Sequence, residues 1–213
     1  MCTDWIWDNT PMLGGYGKIV EMDESYFAGA PKYNRGRRLG TSWDEQEIDK
    51  WGFCLTERGR LDCVITQVDA SRSRRLLLPI IQKHTLPGSI FCSDGWKAYH
   101  SLAEHLDLED VVHFPVNHSQ NYVNPETGAH TQTVEGVWRH CKDFLPSFGL
   151  KPKDLHTYIG TFMWYRYCKE RKLDMFKHFL VSAASKFPPY RTESPVAVVA
   201  LDNIDDQEQV IHV

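Results

Sequence analysis

The chain has 213 residues, with 42% apolar and 24% charged side chains, an ordinary globular composition that excludes a disordered chain or a fibre. No stretch approaches the ~20 consecutive apolar residues of a membrane helix, and the opening MCTDWIWDNT has neither the basic start nor the apolar run of a secretory signal. The formal net charge of −4 lies at the end, where residues 202–213 hold Asp202, Asp205, Asp206 and Glu208 without a Lys or Arg, so the rest of the chain is balanced.

Residues 18–27 alternate as a half-buried strand, with Ile19, Glu21, Asp23 and Ser25 opposite Val20, Met22 and Glu24. Two β-rich runs, 51–58 and 61–68, joined through Gly59, predict a hairpin. Ser71 is placed to cap a helical run that Pro79 should kink or divide. A buried strand over 89–94, a helix over 96–106 and a strand over 111–118 follow. After a turn-rich stretch at 119–130 come helices from about 131 to 145 and from about 153 to 172. This order predicts an α/β fold, a mixed sheet with helices on its faces.

Three acids are placed where chemistry needs them. Asp23 lies within the first strand, Asp94 ends a buried strand before Gly95, and Glu135 is in the first turns of a helix. A mixed sheet can bring all three together, and converged carboxylates are relieved by a hard divalent cation such as Mg²⁺ or Mn²⁺. Two such ions about 4 Å apart activate a water or 3′-hydroxyl against a phosphodiester. Other roles stay open. Asp94 also fits a plain turn, and Glu135, with Arg139 at i+4 and Lys142 at i+7, fits a surface ion-pair stripe. Asp23 is the costliest to explain without a partner.

The histidines 113, 118 and 130 lack the i, i+4 spacing of a zinc helix, and the six cysteines contain no CxxC pair, so zinc is not expected and the thiols are read as reduced. Two basic patches suit a phosphate backbone. One carries Lys32, Arg35, Arg37 and Arg38. The other spans 139–177, with nine Lys or Arg against four acids, and includes Arg139, Arg166 and Lys169.

The segments GKIVEMDESYF, KYNRGR, LPGSIFCSDGWKAYHSL, VNHSQNYVNPETGAHTQTVEGVWRHCK and YIGTFMWYRY follow one another between about residues 13 and 180. In that order they resemble the transposase domain of the Merlin group of DNA transposons, which includes bacterial insertion-sequence relatives. The resemblance implies an RNase H-like fold, with Asp23, Asp94 and Glu135 as the catalytic, metal-holding DDE triad and two Mg²⁺ (or Mn²⁺) ions. His118 and His130 lie inside the matched segments as supporting residues, and Lys142 falls on the matched helix, placed to hold the scissile phosphate.

The expectation is a DDE transposase catalytic domain over 13–181, after a truncated lead-in at 1–12 and before an extended acidic tail at 182–213. Residues 39–50 read as an insertion or as a mis-spliced junction. Its partners would be DNA (transposon ends and target) and further copies of itself, with no membrane; its place would be the nucleus in a eukaryote and otherwise the cytoplasm. The alternative is a catalytically silent, domesticated or fragmentary transposase that binds DNA or protein.

Overall fold

Period-two runs rich in buried apolar residues assemble into one five-stranded sheet, and the amphipathic helices cover its two faces. The computed structural model describes residues 1–27, 51–116, 123–124, 127–146 and 152–187. In chain order these form helix α1 (Cys2–Asp8) and strands β1 (Leu13–Gly14), β2 (Ile19–Tyr26), β3 (Trp51–Glu57) and β4 (Cys63–Val68). Helix α2 (Arg74–His84), β5 (Thr85–Leu86), β6 (Ile90–Asp94), a 3₁₀ turn (Lys97–Tyr99), α3 (Leu102–His105) and β7 (Val112–Val116) follow. Helix α4 (Gln132–Phe144), a second 3₁₀ turn (Pro152–Asp154), α5 (Leu155–Glu170) and α6 (Met175–Lys186) complete the described chain.

The sheet order is β4-β3-β2-β6-β7, and β1 pairs separately with β5. The first three strands run antiparallel, while β6 and β7 are parallel to β2. This mixed α/β architecture is the one expected, and it is consistent with an RNase H-like fold. One face buries Val20, Met22, Phe53, Leu55 and Phe91 against α2, α3 and Tyr99. The other places Cys54, Cys63 and Ile65 beneath Val134, Val137 and Trp138 of α4 and Phe162 and Met163 of α5. Each such large side chain contributes about 1.5–3 kcal/mol by leaving water. Helix α4 sits close because Gly52 has no side chain: a Cβ there would stand 2.7 Å from the Phe27 ring and 2.9 Å from Trp138.

Several boundaries differ from expectation. Pro79 does not divide α2, which runs unbroken through it with Leu77 and Ile81 buried in the core on either side. The helix expected over 96–106 is instead a 3₁₀ turn and the short α3, separated at Ser101 in the left-handed region (φ +52°). Within the lead-in at 1–12, α1 buries Ile6 in the main core, and Thr3 donates to the Thr157 carbonyl of α5 at 3.0 Å. Gly160 allows that approach, since a Cβ there would lie 2.6 Å from Thr3 Cγ2. Helix α6 extends to Lys186, inside the segment expected to be an extended tail.

Candidate active site

The register of β2 against β6 pairs Met22 with Ser93, so the next residues along, Asp23 and Asp94, stand side by side on neighbouring parallel strands. Glu135 arrives from above, in the first turn of α4, where its Oε1 accepts a hydrogen bond from Thr131 Oγ1 at 3.1 Å. Asp94 and Glu135 both bear on Asp23, whose carboxyl is pushed up from 3.8 to about 7. Burial is the main cause, followed by the negative charges of Asp94 and Glu24 and, more weakly, Glu135, against an opposing hydrogen bond from the Glu24 backbone.

Glu24 points to the opposite face, where it accepts a 2.5 Å hydrogen bond from the Tyr99 hydroxyl. Burial and Asp94 raise its pKa, opposed by that bond and by Arg72. Beside Asp94, Ser93 Oγ lies 2.8 Å from His113 Nε2, and burial drives the His113 imidazole down to about 4, so it is neutral at physiological pH.

The helix that carries Glu135 is fixed by a residue that sequence reasoning left without a role. Glu21, two residues before Asp23 and on the same strand face, is wholly buried. Its carboxylate accepts from the Thr133 N–H (2.8 Å), Thr133 Oγ1 (2.8 Å) and the Val134 N–H (3.1 Å), the unsatisfied donors at the N-terminus of α4. Arg58 Nε completes the set at 2.8 Å, and Arg58 Nη2 donates to the His130 carbonyl. The available signal was the shared face of Glu21 and Asp23; its partner Arg58, 37 positions away, has no local signature.

His130 is brought to Glu21, its Nδ1 at 3.3 Å from Oε1. Lys142 Nζ donates to Ser25 Oγ at 2.7 Å, two residues beyond Asp23 on the same strand face, which lines it up with Asp23 and Glu135 along α4. Arg139 and Lys169 are exposed, the latter 4.9 Å from the Tyr165 ring centroid. Arg166 is half-buried and donates to the Leu61 carbonyl at the β3–β4 turn, at the end of the sheet remote from Asp94. His118, Lys32, Arg35, Arg37 and Arg38 lie outside the described residues.

The donor chemistry at Asp23, Asp94 and Glu135 is all oxygen, which suits a hard divalent cation. Among the described residues, no three His, Cys, Asp or Glu side chains are gathered into a group that could hold a metal ion. The histidines are engaged at separate places, His113 on Ser93 and His130 on Glu21. Among the described residues no helix is long and apolar enough to cross a membrane.

Comparison with curated proteins gives no match. The ISXO2-like transposase domain, a DDE transposase family, matches residues 12–167, a span that takes in Asp23, Asp94, Glu135 and the whole five-stranded sheet. On that match over most of its length, the chain belongs to the ISXO2-like transposase domain family.

Proposed function

We propose that this chain is a DNA-cutting and strand-joining catalytic domain of RNase H-like fold, with Asp23, Asp94 and Glu135 as its catalytic carboxylates. The observation that supports this most directly is the β2–β6 register, which sets Asp23 beside Asp94, 71 positions away in the chain, where Glu135 of α4 also bears on the Asp23 carboxyl. Carboxylates set against one another in a half-buried place have a stability cost that a plain turn or a surface ion-pair stripe does not require. Magnesium or manganese, held by these three residues, would supply activation of a water or 3′-hydroxyl and neutralisation of the phosphodiester.

The protein's own groups have separate tasks. Glu21 and Arg58 keep α4, and with it Glu135, over β2. Lys142 stands along the same line, where a scissile phosphate would meet its ammonium. Arg139, exposed on α4, would follow the flanking backbone, whereas Lys169 neighbours Glu170, which holds the β3–β4 turn at the end of the sheet remote from Asp94. Transposon ends and target DNA are the substrates of this reading, within an assembly of several copies. The Merlin group is the finer kinship that the motifs support, with a place in the nucleus if the host is a eukaryote and in the cytoplasm otherwise.

Nicking or strand transfer on supercoiled plasmid tests it, with Mn²⁺, EDTA and Asp94→Ala as comparisons. Activity abolished by EDTA and reduced at least about a hundredfold in the variant is the expected outcome. A folded chain that binds DNA and leaves the plasmid intact would be a silent binding module.

A further inference from the structure

Trp96 follows Asp94 by two residues, and its backbone N–H donates to Asp94 Oδ1 at 3.1 Å. Trp96 is 37% exposed, a large aromatic residue left partly in water beside the carboxylates. Arg72 backs it: the guanidinium carbon lies 4.6 Å from the Trp96 ring centroid and 3.9 Å from that of Trp51. Arg72 is held in the left-handed region (φ +42°), at a cost of about 1 kcal/mol for a residue with a side chain, and such strain clusters at functional places. Its Nε has no hydrogen-bond partner among the described residues, so the rings take the place of polar partners. Tyr26, 43% exposed and 5.2 Å from Trp51, extends the aromatic row.

Two cavities meet at Trp96. One, of about 420 Å³, is lined by Asp94, His100 and His113, and the other, of about 380 Å³, by Ser71, Ser73 and Lys97. Spaces of this size suit a single nucleotide.

We propose that Trp96, backed by Arg72 and Trp51, is a stacking platform for an unpaired base of the DNA strand held at Asp94. The proposal rests on the DNA-processing reading above. Every base presents a π-face whatever its identity, so the platform is tolerant of sequence and selective for bases freed from pairing. The exposed ammonium of Lys97 is placed for the adjoining phosphate. A fully paired end keeps its bases stacked inside the helix and gains nothing from the indole.

Fluorescence anisotropy with the full chain in EDTA, at one fixed salt, compares a duplex with a short unpaired end against the same duplex with flush ends. Trp96→Ala is expected to bind the unpaired end about tenfold more weakly and the flush duplex within about twofold of wild type. Trp96→Phe should recover most of the loss, and a 2-aminopurine in the unpaired end, quenched by the wild-type chain, should stay bright with Trp96→Ala. Equal weakening on both DNAs, or no change on either, overturns the platform, and plasmid nicking by the wild-type chain in parallel then leaves the DNA-processing reading standing. A wild-type chain that binds neither DNA overturns that reading and the platform with it.

Discussion

Asp23 carries its charge against burial and against the carboxylates of Asp94, Glu24 and Glu135, which links its protonation to the stability of the chain. In the folded protein it holds its proton up to about pH 7, whereas its ordinary value is 3.8. Between those values the folded state binds a proton that the unfolded state has released. Stability therefore falls as pH rises through this window, and the penalty is complete above it. Asp23→Asn removes the penalty: the variant should be more stable than wild type at pH 8 by about 1–2 kcal/mol, discounted from the full shift because the group is not fully buried, and equal to it near pH 4. Urea denaturation at the two pH values decides this, and an equal difference at both would show that burial and charge at Asp23 are not the cause. Added Mg²⁺ should raise the wild-type melting temperature at pH 8 and leave Asp23→Asn much less affected, since an ion gains most where the carboxylates repel.

At the scale of the element, α4 is set by one buried carboxylate. Glu21→Gln keeps the shape of the side chain but turns an amide N–H₂ toward donors and leaves Arg58 without its ion-pair partner. We expect a loss of about 2–3 kcal/mol in chemical denaturation. Plasmid nicking should fall at least about tenfold with DNA binding retained, because Glu135 loses its fixed position while the exposed cations do not. Wild-type stability and activity in the variant would dissociate the cap from the site. Much of this element-level order was legible beforehand. Period-two alternation located β2, and apolar runs located β3, β4 and β6; helical spacing located α4 and α5. Seven residues are too few for periodicity to declare α1, which exists because Ile6 and Thr3 fit a groove that Gly160 opens. The run 96–106 has helical composition, yet Tyr99 is drawn into the core to meet Glu24, and Ser101 turns left-handed. The acids of the candidate site could be read because each stands on or beside a strongly patterned element. Glu21 and the Trp51–Arg72–Trp96 stack could not, because their partners are distant in sequence and only the sheet brings them together.

Among the described residues, Asp23 and Asp94 stand at one end of the sheet, and at the other the β3–β4 turn is fastened to α5 by ion pairs. Asp62, 1% exposed, accepts from both Nη atoms of Arg171 at 2.8 and 3.0 Å and from Arg60, which also reaches Glu57 at 2.9 Å. The Leu61 N–H donates to Glu170 at 2.7 Å. Asp62→Ala should cost about 2–3 kcal/mol, less than for a fully buried pair because the arginines keep contact with water. Nicking per folded molecule should be unchanged, since the network is remote from Asp94. Denaturation midpoints and specific activity measured together check this, and a loss of activity with stability intact would mean that the two ends communicate.

Because Glu21 moors α4 directly to β2, the spacing of Glu135 from Asp23 is written within a few residues of one strand and one helix turn. The third carboxylate therefore keeps its place with β2 itself, through the N–H groups that Glu21 holds at the start of α4.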